Sequence, residues 1–276
     1  FKATGKNPRY LSTVHFDTAK IHFSADINEV ISEADVLILA IPSPYVKLSL
    51  NKLHRSIRQK YIISAVKGMI PDENMIVTDY LHIKYHVPMD HLAVVAGPCH
   101  AEEIALDRLS YLTLGCEVLE TSKWLADLFD TPYVRCSVSE DVVGLEYSSV
   151  MKNIYAIATG MCYALKYGDN FQAVLMSNAL NEMTRFIDTT RPMPERVIND
   201  SVYLGDMLVT CYSNFSRNRV FGTMLGKGYS VKAAQLEMEM VAEGYYGTKC
   251  MHELNEHYHV DMPILNAMYN ILYERV

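Results

Sequence analysis

Three short apolar runs at 36–41, 61–66 and 92–96, interrupted only by Ser64, each stop at a loop-forming group: Pro42-Ser43-Pro44, Lys67-Gly68 and Gly97-Pro98. Runs of strand length without polar alternation are the pattern of strands buried on both faces. Helical segments separate them. One spans 26–34, with Asp26 and Glu29 in capping-box spacing. Another spans 44–60 with proline at its start, and a third begins at His100. Residues 109–114, 122–129 and 133–136 continue as strand, helix and strand. This alternation predicts a parallel α/β sheet. After about Ser139 the pattern is helical throughout: 170–187, 230–241, 250–259, and a last helix introduced by Met262-Pro263 that runs to the C-terminus. The fold class expected is therefore α/β plus all-α, with a sheet domain over 1–138 and a helical domain over 139–276.

Composition narrows the function classes. The 276 residues are half apolar, enough for a sizeable core. A net charge of −7 with no basic block argues against nucleic-acid binding. No apolar run approaches a membrane span, and the polar, basic first residues lack the apolar centre of a signal peptide. Six scattered cysteines without a C-x-x-C pair read as free thiols in a reducing cytoplasm.

Residues 141–161 form the most informative single segment. Apolar Val150, Ile154, Ile157 and Met161 mark one buried helix face. The opposite stripe, Leu145, Ser148, Ser149, Lys152, Ala156 and Thr159, is small and mostly polar around one lysine. Such a stripe admits close approach of either another helix or a ligand. In open α/β sheets ligands bind outside the carboxyl ends of the strands, which places the loops at Pro42, Lys67 and Gly97-Pro98-Cys99 at a candidate cleft. Farther on, Gly205-Asp206, Thr210 and Ser216-Arg217-Asn218-Arg219 group the donors that an anionic small molecule requires, with arginine matching phosphate oxygens bidentately. Two other patterns carry nothing. Gly222, Gly226 and Gly228 miss the dinucleotide spacing, and His252, Glu253, Glu256, His257 and His259 miss both zinc-protease motifs. No metal is expected.

Taken together the residues resemble the bacterial NAD(P)-dependent glycerol-3-phosphate dehydrogenase family. The resemblance rests on Asn7-Pro8-Arg9-Tyr10-Leu11, Val66-Lys67-Gly68, Gly97-Pro98-Cys99-His100-Ala101-Glu102-Glu103, Lys152-Asn153, Gly205-Asp206, Thr210-Cys211, Ser216-Arg217-Asn218-Arg219, Glu243-Gly244 and Thr248-Lys249, in the family's order. It implies a Rossmann-type domain followed by a helical one. The implied reaction is hydride exchange between NAD or NADP and carbon 2 of dihydroxyacetone phosphate or glycerol 3-phosphate, supplying glycerol 3-phosphate for phospholipid synthesis. Lys152 resembles the general acid/base. Lys67 is aimed at the same oxygen, and Asp206 holds the ammonium. Burial or cationic neighbours would lower a catalytic lysine's pKa, whereas Asp206 would favour its charge. The substrate contacts implied are Lys67, Gly97, Cys99, Asn153, Asp206, Thr210, Ser216, Arg217 and Asn218, with Cys99 where the family usually has a small polar residue. Tyr10, Lys67, Ala101, Arg217, Val241 and Glu243 match cofactor positions. A homodimer through the helical domain is compatible with the resemblance.

One departure stands at the front. The family opens with a strand, a glycine-rich turn, a helix and a second strand, and the only glycine before Gly68 is Gly5. That turn is where pyrophosphate meets backbone N–H groups. The expectation is that residues upstream of Phe1 belong to the complete protein, that this chain alone binds cofactor poorly, and that without the fold's central first strand its fourth strand exposes a long apolar edge. Two alternatives differ in class: a non-catalytic, phosphate-ligand-binding relic of the fold, and a dehydrogenase of another hydroxy acid.

Overall fold

The computed structural model describes residues 1–8, 10–238 and 240–274. Arg9 of the N-terminal motif lies outside them, as do Glu239 in the expected 230–241 helix and the last two residues of the C-terminal one. Five strands, β1 (Val36–Leu39), β2 (Tyr61–Ser64), β3 (Leu92–Ala96), β4 (Ser110–Cys116) and β5 (Val134–Ser139), form one sheet in sequence order. β1–β2, β2–β3 and β4–β5 pair in parallel. The β3–β4 pair is antiparallel, so the sheet is mostly rather than wholly parallel.

The reversal has a local cause. A parallel crossover is usually built round a full helix, and the segment between β3 and β4 holds only the four-residue helix Ala101–Ile104. Gly97 turns the chain with φ of +127°, and its backbone runs so close to the returning strand that a Cβ there would sit 2.5 Å from the Tyr111 carbonyl oxygen. Only glycine fits both conditions.

In chain order the helices are α1 (Ile27–Glu33), α2 (Ser43–Leu50), α3 (Val77–Tyr85), α4 (Ala101–Ile104), α5 (Leu119–Asp127) and α6 (Val142–Ala164). They continue as α7 (Asp169–Thr190), α8 (Asp206–Tyr212), α9 (Arg217–Gly226), α10 (Val231–Glu237), α11 (Glu243–Tyr258) and α12 (Pro263–Tyr269). The helix expected over 44–60 ends at Leu50. The Asn28 side chain donates to the Lys52 carbonyl and accepts from the His54 N–H, at 3.0 and 2.7 Å, tying the chain to α1 instead. The capping box at α1 is half formed: Asp26 accepts from the Asn28 N–H, whereas Glu29 takes the Ser24 hydroxyl. α3 was not foreseen.

α6 is the axis of the molecule. Every residue from Gly144 to Gly160 is buried, so both of its stripes are covered. Asp141 caps it by accepting from the Gly144 N–H, and the same carboxylate takes two hydrogen bonds from Arg196 and one from the Tyr203 hydroxyl. Those ties anchor a π-helical turn, Ser201–Gly205, that leads directly into Asp206 and α8. α9 lies against α6 at Ile157 and Gly160: a Cβ on Gly222 would overlap the Ile157 carbonyl, and one on Gly160 would overlap that of Arg219. β1 is a sheet edge among the described residues, with Ile38 exposed and an apolar cavity of about 640 Å³ running beside it.

Candidate active site

The carboxyl ends of β1, β2 and β3 open on one side of the sheet, and the middle of α6 arrives there from the opposite end. Lys152 and Asp206 meet at that point in a buried ion pair, Nζ to Oδ2 2.5 Å, with side chains 9% and 3% exposed. The same Oδ2 accepts from the Gly97 N–H at 3.3 Å, which links the pair to the end of β3. Asn153, next on α6, donates its amide to the Lys67 carbonyl at 2.9 Å, so one helix grips the loop after β2. The Lys67 ammonium turns towards the Val95 carbonyl, to which it donates. Burial, and then the charge of Lys152, bring Lys67 down to about 8, against the opposing pull of Asp206 and Glu146. Cys99 is half-buried beside them; burial first and Asp206 second push its thiol up.

The phosphate-like group sits at the start of α9. Ser216 caps that helix, its hydroxyl accepting from the Arg219 N–H at 3.3 Å. The Asn218 side-chain oxygen accepts from the Gly244 N–H at 2.9 Å, which leaves its amide N–H donors uncommitted in that bond. The Thr210 hydroxyl donates to the Asp206 carbonyl at 2.6 Å, one turn back on α8. Arg217 is exposed and lines a cavity of about 550 Å³ shared with Tyr10, Lys67, Val241 and Glu243. Arg219 turns elsewhere, donating to Asn214 and lying 4.6 Å over the Tyr163 ring.

The structure thus brings Lys67, Gly97, Asn153, Asp206 and Lys152 into one bonded cluster, with Thr210 attached to it through Asp206. Tyr10, Arg217, Val241 and Glu243 share one cavity with Lys67. Ala101, exposed at the first turn of α4, is not among that cavity's lining residues. Glu243 is spent on a long-range contact: its two oxygens accept from the Ser43 N–H and hydroxyl at 2.8 and 2.5 Å, joining α11 to the start of α2. Burial raises its carboxyl against those bonds. Two residues escaped the sequence reading. Ser43 was visible as part of a strand-end loop but without a partner. Glu146 was visible as a lone carboxylate inside an otherwise uncharged helical turn.

Family models for the NAD-dependent glycerol-3-phosphate dehydrogenase N-terminus and C-terminus match residues 1–122 and 141–276. The chain belongs to the NAD-dependent glycerol-3-phosphate dehydrogenase family. A Staphylococcus haemolyticus glycerol-3-phosphate dehydrogenase [NAD(P)+] is 33% identical over 98% of this chain and 81% of its own length. The Bacillus subtilis protein of the same name is 33% identical over 97% and 78%. The crystal structure of glycerol-3-phosphate dehydrogenase from Coxiella burnetii superposes with a TM-score of 0.90 at 29% identity, covering all of this chain and 83% of that one.

The family's cofactor can be tested against the residues present. The 550 Å³ cavity lies where the loops after β1 and β2, Ala40-Ile41-Pro42 and Ala65-Val66, face Arg217 and Val241. An apolar wall at the carboxyl ends of parallel strands, with an arginine opposite, suits the nicotinamide end of a dinucleotide. A glycine-rich turn for the pyrophosphate is not found among the described residues. No helix among them is long and apolar enough to cross a membrane.

Proposed function

We propose that Lys152 is the group that exchanges a proton with the carbon-2 oxygen in this dehydrogenase, that Asp206 holds its ammonium in place, and that Lys67 is aimed at the same oxygen. The reaction interconverts dihydroxyacetone phosphate and sn-glycerol 3-phosphate with NAD or NADP, which when bound supplies or removes hydride at carbon 2. Reduction of the ketone leaves charge on oxygen, and a buried ammonium can both stabilise that charge and deliver a proton. The single observation carrying this reading is the Lys152–Asp206 pair, tied to Gly97 at the rim of the sheet. Asp206 fixes where the ammonium points. Asn153 fixes the loop of Lys67, so a second cation converges on the same oxygen.

Arg217, Ser216 and Asn218, with Thr210, are the proposed phosphate ligands, with Gly97 and Cys99 beside the carbon chain. Binding energy from a phosphate that does not react is available for positioning carbon 2. Tyr10, Lys67, Ala101, Arg217, Val241 and Glu243 are the proposed cofactor contacts, with residues 1–138 forming the cofactor side and 139–276 the catalytic side. The test is oxidation of NADH and NADPH with and without dihydroxyacetone phosphate. Oxidation that does not depend on that substrate would end the proposal. Arg217→Ala is expected to lower kcat/KM about 10²–10³-fold, mainly through KM, as loss of a bidentate charged contact requires. An equal loss with a substrate lacking phosphate would remove Arg217 from the phosphate site.

A cytoplasmic location is the proposed setting, supported by six free thiols. A homodimer through the helical half is proposed as well. Support comes from Tyr163, Tyr167, Phe171 and Val174, all exposed near the α6–α7 corner. Light scattering that returns a monomer mass would sink it.

A further inference from the structure

The carboxylate of Asp141 does more than cap α6. It is 7% exposed, and Arg196, whose side chain is 2% exposed, closes on it as a fork, Nε to Oδ2 at 2.6 Å and Nη2 to Oδ1 at 2.9 Å. The same guanidinium donates to Asp188 and to the Arg191 carbonyl, both at 2.8 Å, which fastens it to the end of α7. From the other side Oδ1 accepts from the Gly144 N–H at 3.0 Å, and Oδ2 from the Tyr203 hydroxyl at 2.5 Å. Burial opposes the charge on Asp141, but the bonds from Arg196 and Tyr203 outweigh it and leave the carboxyl below its ordinary value.

A buried ion pair is weak evidence for stability, because desolvation offsets much of the Coulombic gain, and its best-attested use is to specify register. The guanidinium fork adds direction to that specification. Here the register is that of α8 against α6. Tyr203 lies three residues before Asp206 in one continuous helical run, Ser201–Gly205 and then Asp206–Tyr212. Its ring, 4% exposed, packs with Val142 and Leu145 of α6 and with Val94 and Ala96 of β3. Asp141 begins the helix that carries Lys152, about three turns further along. The two runs meet again where Asp206 takes the Lys152 ammonium at 2.5 Å and the Gly97 N–H at 3.3 Å. One carboxylate is therefore bonded at the head of both helical runs that supply the pair.

We propose that Tyr203 is a positioning residue acting through Asp206: its bond to the Asp141 carboxylate, clamped by Arg196, fixes where Asp206 meets Lys152. This rests on the proposed function for the task of the Lys152–Asp206 pair.

The test is Tyr203→Phe, which keeps the ring in its apolar cluster and removes only the hydroxyl. kcat for dihydroxyacetone phosphate falls about 10-fold, less than the roughly 10²-fold that a misplacement of about 1 Å can cost. KM stays within about two-fold, because the phosphate ligands on α9 are untouched. A second readout needs no turnover. The Gly97 N–H is bonded to Asp206, so its hydrogen exchange, followed by mass spectrometry of overlapping peptides, quickens when Asp206 moves. The third is a double-mutant cycle with Asp206→Asn. Adding Tyr203→Phe to that variant lowers kcat no further, because the residue it acts through is already disabled. Tyr155→Phe is the control. Tyr155 is equally buried on α6 and donates to Glu182 at 3.2 Å, so its loss lowers the melting temperature and leaves kcat unchanged.

An unchanged kcat in Tyr203→Phe overturns the inference. So does a loss that multiplies with that of Asp206→Asn, or an equal loss in Tyr155→Phe, the mark of general loosening. If Asp206→Asn alone leaves kcat intact, the proposed proton exchange fails instead. Gly97 exchange then decides the inference by itself: quickened exchange upholds the positioning of Asp206, and unchanged exchange overturns it. Should Tyr203→Phe fail to fold, Arg196→Lys keeps the charge and loses the fork. It is measured in the same way, and unchanged kcat with unchanged Gly97 exchange overturns the inference.

Discussion

Lys152→Ala lowers turnover of dihydroxyacetone phosphate by about 10²–10⁴-fold, the span that loss of a general acid/base produces. NADH affinity stays within a few-fold, because Lys152 lies in the ion-pair cluster and not among the residues lining the Arg217 cavity. The same change has a second effect. Asp206 is 3% exposed and loses its cation, and removing one partner of a buried pair costs about 3–5 kcal/mol of stability. The two effects separate in the double variant Lys152→Met, Asp206→Asn. It relieves the uncompensated charge and recovers most of the urea midpoint, while turnover stays low. A double variant that regained turnover would show that the pair is structural and that the proton comes from elsewhere.

Gly222→Ala is expected to cost about 3 kcal/mol or more, at the upper end of overpacking penalties. Its added Cβ would overlap the Ile157 carbonyl, a backbone atom that no rotamer change can move aside, so α9 must lift from α6. Because α9 carries Arg217 and Asn218 and is capped by Ser216, the lift also displaces the proposed phosphate ligands, and KM rises with the loss of stability. Gly228→Ala serves as the control. Gly228 has φ of +94° and nothing within 4 Å of a built Cβ, so only backbone strain is paid, about 1 kcal/mol. Urea unfolding of the two variants side by side decides the matter. Equal losses would mean that the α6–α9 contact is looser than the backbone separation requires.

Much of this arrangement was legible beforehand because it depends on local pattern. The apolar runs at 36–41, 61–66 and 92–96 became β1, β2 and β3, since strands inside a sheet declare themselves through near-continuous apolar side chains, although β1 leaves Ile38 exposed. Lys152 stood out because its helix offered no ordinary solvated face, and the structure explains why: α8 meets the stripe at Lys152 and Thr159, and α9 packs on Ile157 and Gly160. What stayed hidden depends on partners distant in sequence. The end of α2 at Leu50 follows from Asn28, more than twenty residues earlier. Glu243 reaches Ser43 across 200 residues, and Glu146 reaches Thr78 across 68. The antiparallel β4 was missed for a different reason. Strand periodicity is the same in either direction, and the connection to β4 has the residues for a crossover but only four of them are helical.

That reversed strand also governs how α6 measures distance. Because β4 and β5 run against β3, β5 ends at the far side of the sheet, with Ser139 beside Gly115. α6 must therefore start there and climb back along β3, where Val142 and Leu145 pack on Val94 and Ala96, before it delivers Lys152 to the rim. The stretch from the Asp141 cap to Lys152 works as a gauge with both a length and a phase, about 1.5 Å and 100° for each residue. Adding or deleting one residue within it turns the ammonium away from Asp206 by more than a quarter circle. Only changes close to whole turns bring it round again, and those shift it along the sheet by about 5 Å. The spacing between cap and lysine is thus held by geometry at both ends, whatever side chains occupy the turns between.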